Sequence, residues 1–106
     1  MGSHAQAITF RTTVTLPIKA KGTVSYVPED LVLAQRYFGE KLCAASSELE
    51  RRCYRAGLDL MNLVLACEGK LLSIKFNGVG TQNGYMMVFD FRFDDFEKLE
   101  MFIESL

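Results

Sequence analysis

The side chains that most often carry chemistry in proteins are scarce in this chain of 106 residues. Its one histidine, His4, lies in residues 1–6, which we interpret as a cloning remnant outside the fold. Histidine is the commonest general base and metal ligand near neutral pH. Serine–histidine pairs, cysteine–histidine pairs and histidine metal sites are therefore excluded from the folded part. We expect no enzymatic activity, no metal and no cofactor, although a pair of carboxylates could still transfer protons.

The three cysteines, Cys43, Cys53 and Cys67, do not have the spacing of a redox or zinc motif. An odd number of cysteines without a secretory leader favours a reducing, cytoplasmic setting. On one helix, Cys43 and Cys53 would lie roughly 15 Å apart, whereas bridged Cα atoms lie within about 7 Å of each other. We therefore expect free thiols, at least two of them buried.

Arg51, Arg52 and Arg55 form the densest basic cluster, with Tyr54 among them. Arginine beside an aromatic ring is typical of a contact with phosphate or with a single nucleic-acid strand. The alternative is structural: cations near a helix C-terminus complement the dipole, and Glu48 can pair with Arg52 four residues on. We favour the structural interpretation. Nucleic-acid binding is the second functional hypothesis, by this cluster together with a sheet surface that would include Arg11, Lys19, Lys21 and Lys75.

A glycine-rich stretch, residues 77–84, invites a phosphate-binding interpretation. Its glycines, Gly78, Gly80 and Gly84, have neither the spacing nor the following helix of a phosphate-binding or dinucleotide-binding loop. We interpret the stretch as a flexible loop between two strands, and such loops adapt readily to a partner.

The predicted strands are segments in which apolar and polar side chains alternate or β-branched residues concentrate. They are residues 7–16, 23–27, 61–67, 70–76 and 85–93. Glu68 and Gly69 predict a tight turn between two of them. Phe89 and its alternate neighbours in the last strand are expected to form the centre of the core.

The middle of the chain has the amphipathic pattern of a helix over residues 29–56, ended by Gly57, with Leu49 and Ala56 on its core-facing stripe. One continuous helix is favoured over two helices that meet at Ser47, where Ser47 and Glu50 would form a capping box. A last helix is predicted to begin at Asp94 and to continue to the end of the chain.

These elements predict one α+β domain over residues 7–106, with the order ββ-α-βββ-α. Short turns between consecutive strands favour an antiparallel sheet on which the long helix and the C-terminal helix pack. No apolar run approaches the roughly 18 residues that a membrane span needs. The net charge of −1 provides no general attraction for nucleic acid or for an anionic membrane.

Apolar side chains are more numerous than one buried face of each element requires. The apolar residues expected on the surfaces that face away from the core are Leu33, Tyr37, Ala44, Val64, Leu71, Met86 and Val88. Contiguous exposed apolar patches usually mark a surface for a partner. The sequence thus favours a non-enzymatic interaction module that binds a protein partner or a second copy of itself. The competing interpretation is a third layer that covers some of these residues.

Overall fold

The computed structural model describes residues 8–18, 27–77 and 85–106. The described elements are β1 (Phe10–Ile18), α1 (Leu31–Ala44), α2 (Glu48–Ala66), β2 (Lys70–Asn77), β3 (Tyr85–Phe93) and α3 (Phe96–Ser105). The α+β class with an antiparallel sheet is confirmed. Outside the described residues lie the remnant over residues 1–6, Lys19 and Lys21, residues 23–26 of the second predicted strand, and the loop glycines Gly78, Gly80 and Gly84.

The prediction of one helix over residues 29–56 is wrong, because the chain leaves the helical conformation between α1 and α2. Ala45 is extended, and the extended Ser47 accepts a hydrogen bond from the Glu50 N–H to its Oγ at 3.1 Å. The Glu50 carboxylate in turn accepts from the Ser46 N–H at 3.4 Å. This cap satisfies donors that a helix start leaves unpaired, so the serine determines where α2 begins.

The strand predicted over residues 61–67 is also wrong, because α2 continues through Gly57 to Ala66. Gly57 is therefore not a stop signal. A Cβ at this position would lie 2.5 Å from the ring of Phe38, so the glycine lets α1 approach α2 closely. Short apolar runs do not distinguish helix from strand by periodicity, and Met61 and Val64 are buried at helical spacing. The described order is thus β-α-α-β-β-α.

The sheet has the strand order β1-β3-β2, with both pairings antiparallel. Among the described strands β3 is therefore central, and β1 and β2 lie at the edges. The residues of β3 that are fully buried on one face are Met87, Phe89, Phe91 and Phe93. The opposite, outer face carries Met86, Val88, Asp90 and Arg92 of the same strand.

The helices pack on the buried face of the sheet through aromatic contacts. The Phe38 ring of α1 lies 6.3 Å from the Phe89 ring, measured between centroids. The Phe102 ring of α3 lies 5.6 Å from Phe91 and 5.1 Å from Phe93. All three described helices contribute to this single core, so no described helix covers the outer face. Within the described ranges, no helix has the length and apolar content required to cross a membrane.

Candidate functional site

A shallow apolar groove runs between the edge strand β1 and helix α2. It consists of two adjoining hollows of about 390 and 240 Å³ that share Ala56. We call it the β1–α2 groove; the described residues that line it are Val14, Leu16, Pro17, Leu49, Arg52, Cys53, Ala56, Asp59, Leu60, Leu63, Ser105 and Leu106. The end of α3 closes one hollow, where Leu106 stays 62% exposed.

The strand side of the groove follows from the alternation of β1. Val14 and Leu16 lie opposite Phe89 and Met87 in the register, so their side chains face the helix layer. Pro17 also belongs to the strand, and proline is tolerated in a sheet where its nitrogen faces away from the neighbouring strand. We infer that the backbone of Pro17 faces away from β3. Thr13 and Thr15 then have the same backbone orientation, because the direction of the N–H and C=O groups repeats every second residue along a strand. Their N–H and C=O groups therefore point outward along an edge with which no described strand pairs.

The helix side of the groove is a stripe of Leu49, Ala56 and Leu63, each seven residues from the next. Seven residues are nearly two turns, so the three side chains lie within about 20° of Ala56 around the helix. Leu49 is 51% exposed, Ala56 is exposed and Leu63 is half-buried. The buried residues of α2 lie to one side of this stripe, towards the sheet. Leu63 packs partly against the core, whereas Leu49 and Ala56 leave apolar surface exposed beside it.

Two opposite charges border the stripe on the side away from the core. The Arg52 Nε lies 3.4 Å from the Glu48 Oε1. The exposed Asp59 forms no ion pair or hydrogen bond within the described residues. Burial raises the pKa of the Cys53 thiol at the base of the groove. Burial also raises the pKa of the neighbouring Tyr54 to about 12, so both groups are uncharged at neutral pH.

The titratable groups of the groove are poorly arranged for catalysis. A neutral thiol is a weak nucleophile, and no general base lies beside it among the groove residues. The described part of the chain contains no group of three His, Cys, Asp or Glu side chains able to hold a metal ion. The groove thus combines an apolar surface with an arginine, an aspartate and a strand edge at its rim.

A polar cluster lies on the outer face of the sheet, around Asp90. Its carboxylate accepts hydrogen bonds from the Thr13 hydroxyl at 2.7 Å and from the Ser73 hydroxyl at 3.0 Å. These hydrogen bonds, led by that from Thr13, lower the pKa of Asp90. A carboxylate held in its charged form is unsuited to general acid catalysis near neutral pH. The cluster ties β1 and β2 to the central strand.

The α1 residues of the predicted interaction surface share one stripe but differ in exposure. Leu33 is 48% exposed, and Ala44 is also exposed. Tyr37 packs against the core, with its ring edge-on to Phe38 at 5.5 Å and the Lys41 ammonium 5.7 Å from its centroid. Burial raises the pKa of Tyr37. Tyr37 is therefore covered within the chain itself. Of the three α1 residues of the predicted surface, only Leu33 and Ala44 are exposed.

The strand residues of the predicted interaction surface separate into two groups. Val64 is 0% exposed in α2, so it belongs to the core and not to a surface. Leu71 also packs against the core, because a register shift between Leu71 and Ser73 places it opposite Phe91. Met86 and Val88 lie on the outer face as expected, where both are half-buried among polar neighbours.

The arginine cluster lies in the first half of α2, not at a helix C-terminus, so the dipole explanation is wrong. Arg51 and Arg52 each place Nε 3.4 Å from the Glu48 carboxylate. The pairing of Glu48 with Arg52 was expected from the sequence. Arg55 is exposed, at the same end of the helix.

Sequence reasoning missed the groove because it assigned Leu49 and Ala56 to the core stripe of a single long helix. Extending α2 to residue 66 would have revealed the regular spacing of Leu49, Ala56 and Leu63. Comparisons with protein-family models, with curated proteins and with solved structures find nothing that matches this chain.

Proposed function

We propose that this protein is a non-enzymatic interaction module that binds another polypeptide through the β1–α2 groove. The observation that carries the proposal is the coincidence of an apolar groove with an edge of a nine-residue strand, β1, along which no described strand pairs. An unpaired edge provides a row of backbone donors and acceptors for an incoming chain, and an adjoining apolar groove accepts its side chains. Three free cysteines support a reducing, cytoplasmic location for this module.

The size and polarity of the groove favour a polypeptide over a small molecule. Small-molecule sites are enclosed, and a few convergent polar groups fix the ligand. Here the polar groups Arg52, Asp59 and Ser105 are distributed along a shallow rim. Extended apolar area with charges at its margin is the usual composition of a protein interface.

Site-specific photo-cross-linking in cells tests this proposal. The photoreactive residue p-benzoylphenylalanine replaces Ala56 in the groove or, as the matched control, Leu65, which is exposed on the opposite side of α2. We expect a covalent adduct with one polypeptide from position 56 and not from position 65, with the linked chain identified by mass spectrometry. Equal labelling from both positions, or no adduct from position 56, would refute the proposal.

The alternative of nucleic-acid binding has less support. Arg51, Arg52 and Arg55 lie in the helix layer, whereas Arg11 and Lys75 belong to the outer face of the sheet. A nucleic-acid strand needs a continuous basic surface, and the sheet separates these two groups. Retention on heparin that falls steeply with salt would favour this alternative over our proposal.

A further inference from the structure

We propose that the occupant of the β1–α2 groove is a second copy of this chain, related to the first by a two-fold axis that passes beside Ala56, normal to the sheet. This inference rests on the proposed function, because it names the polypeptide that the groove binds. A two-fold interface brings the same patch of both chains together, so the patch must be complementary to itself. The stripe, the charges and the strand edge each satisfy this condition.

The apolar stripe of α2 is symmetric about its centre. Leu49 precedes Ala56 by seven residues, and Leu63 follows it by seven. When two α2 helices pack antiparallel with Ala56 at the crossing, Leu49 lies against the partner subunit's Leu63, and the contact occurs twice. The small side chain of alanine at the crossing lets the two backbones approach closely. The large side chains are thus matched at both ends of the contact.

The charges beside the stripe determine the direction of the second helix. Arg52 precedes Ala56 by four residues and Asp59 follows it by three, which places them about 6 and 4.5 Å from the centre along the axis. Both lie on the same flank, about 40° and 60° from Ala56. A two-fold axis normal to the sheet reverses the direction of the helix but keeps this flank on the same side of the sheet in both chains. Arg52 therefore meets the partner subunit's Asp59. A parallel arrangement would bring like charges together, which disfavours it.

The outer edge of β1, which pairs with no strand in the described ranges, fits the same axis. A two-fold axis normal to the sheet places β1 antiparallel to the partner's β1 and joins the two three-stranded sheets into one. Thr13 and Thr15 then direct their N–H and C=O groups across the junction, and Pro17 offers its C=O alone. Val14 and Leu16 become covered by the two α2 helices. The edge strand and the groove are thus buried by one partner.

The oligomeric state of charge-reversal variants tests the inference. The wild-type chain should have a mass near twice 12.0 kDa by light scattering after size exclusion. Arg52→Asp and Asp59→Arg should each raise the dimer dissociation constant at least about tenfold, because each places like charges in contact. The double variant should restore it. Arg51→Asp is the matched control, since Arg51 makes the same contact with Glu48 but lies on the other side of the helix.

A disulfide tests the position of the axis independently of affinity. In a Cys43→Ser background, which removes the one exposed thiol, Ala56→Cys should form a covalent dimer under mild oxidation. Bridged Cα atoms must lie within about 7 Å, and only residues next to the axis approach their own copy so closely. Leu65→Cys, on the opposite side of the helix, should form no intermolecular disulfide.

Three results would overturn the inference. A wild-type chain that stays monomeric at high concentration, without a disulfide through position 56, excludes self-association; an adduct of position 56 with a different polypeptide would then leave the proposed function standing. A dimer that Leu33→Asp dissociates and that Arg52→Asp leaves intact would place the interface on α1. If Arg51→Asp weakens the dimer as much as Arg52→Asp does, the proposed pairing of Arg52 with the partner subunit's Asp59 is wrong.

Discussion

The two glycines in the interior of helices should respond to alanine in opposite directions. In an exposed helix, replacing glycine by alanine stabilises a protein by about 1 kcal/mol, because glycine loses more backbone freedom on folding. A Cβ at Gly39 in α1 would meet no atom within 4 Å. A Cβ at Gly57 in α2 would lie 2.5, 2.6 and 2.7 Å from three ring atoms of Phe38.

Whether alanine at position 57 stabilises or destabilises the protein depends on whether the Phe38 ring can move away from the added Cβ. This ring is fully buried and packs edge-on against Tyr37 and at a tilt against Phe89. Overpacking of a well-filled core costs about 1–3 kcal/mol, and three contacts this short place the cost at the upper end. After subtraction of the propensity gain, Gly57→Ala should lower the free energy of unfolding by about 1–2 kcal/mol.

Urea denaturation followed by circular dichroism measures both effects. With a slope of about 1–3 kcal/mol per molar urea, the midpoint of Gly57→Ala should fall by roughly 1 M, whereas that of Gly39→Ala should rise. Replacing the Phe38 ring by a smaller side chain, Phe38→Leu, should lower the free energy of unfolding less in the Gly57→Ala background than it does alone, because the two residues are in contact. Equal stabilisation by both alanines would refute the close approach of α1 and α2.

Three further predictions address the cap, the thiols and the outer face. Ser47→Ala should cost about 0.5–2 kcal/mol, the usual value of an N-cap, measured by urea denaturation. A bulky thiol reagent should label Cys43 rapidly and the two buried cysteines only as the protein unfolds; rapid labelling of all three would contradict their burial. The pKa of Asp90 is lower in the folded than in the unfolded protein, so its contribution to stability is present above the unfolded value and is lost as the pH falls through the folded value. Thr13→Val should raise that pKa towards its ordinary value in an NMR titration and make unfolding begin at a higher pH.

The three described strands and the last helix could be predicted from the sequence because local patterns determine them, whereas the strand predicted over residues 61–67 belongs to α2. Alternation identifies β1 and β3, and the cap of α3 forms at Asp95, one residue after the expected Asp94, where the Asp95 Oδ1 accepts from the Glu97 N–H at 2.8 Å. The capping box of Ser47 and Glu50 could also be recognised in the sequence, but the amphipathic stripe that continues across it favoured one helix. Local chemistry at the serine outweighed this periodicity.

The groove could not be predicted because it depends on tertiary packing. Whether Leu49 and Ala56 are core or surface is decided by how α2 lies on the sheet, and a helical stripe carries no information about that angle. Gly57 is similar: only the presence of the Phe38 ring distinguishes a packing glycine from a helix stop. The bulge that turns Leu71 towards the core likewise has no marker in the residues around it.

The pairing of β1 with β3 has a consequence for how the protein folds. The register joins Phe10 to Phe93 and Leu16 to Met87, so forming it closes a loop of nearly the whole chain. β2 and β3 are neighbours in sequence and can pair at much lower entropic cost, and contacts between distant residues slow folding. We expect β1 to dock last and to show the earliest amide hydrogen exchange of the three strands. Because this late strand also provides one wall of the groove, whatever binds there selects chains in which folding is complete.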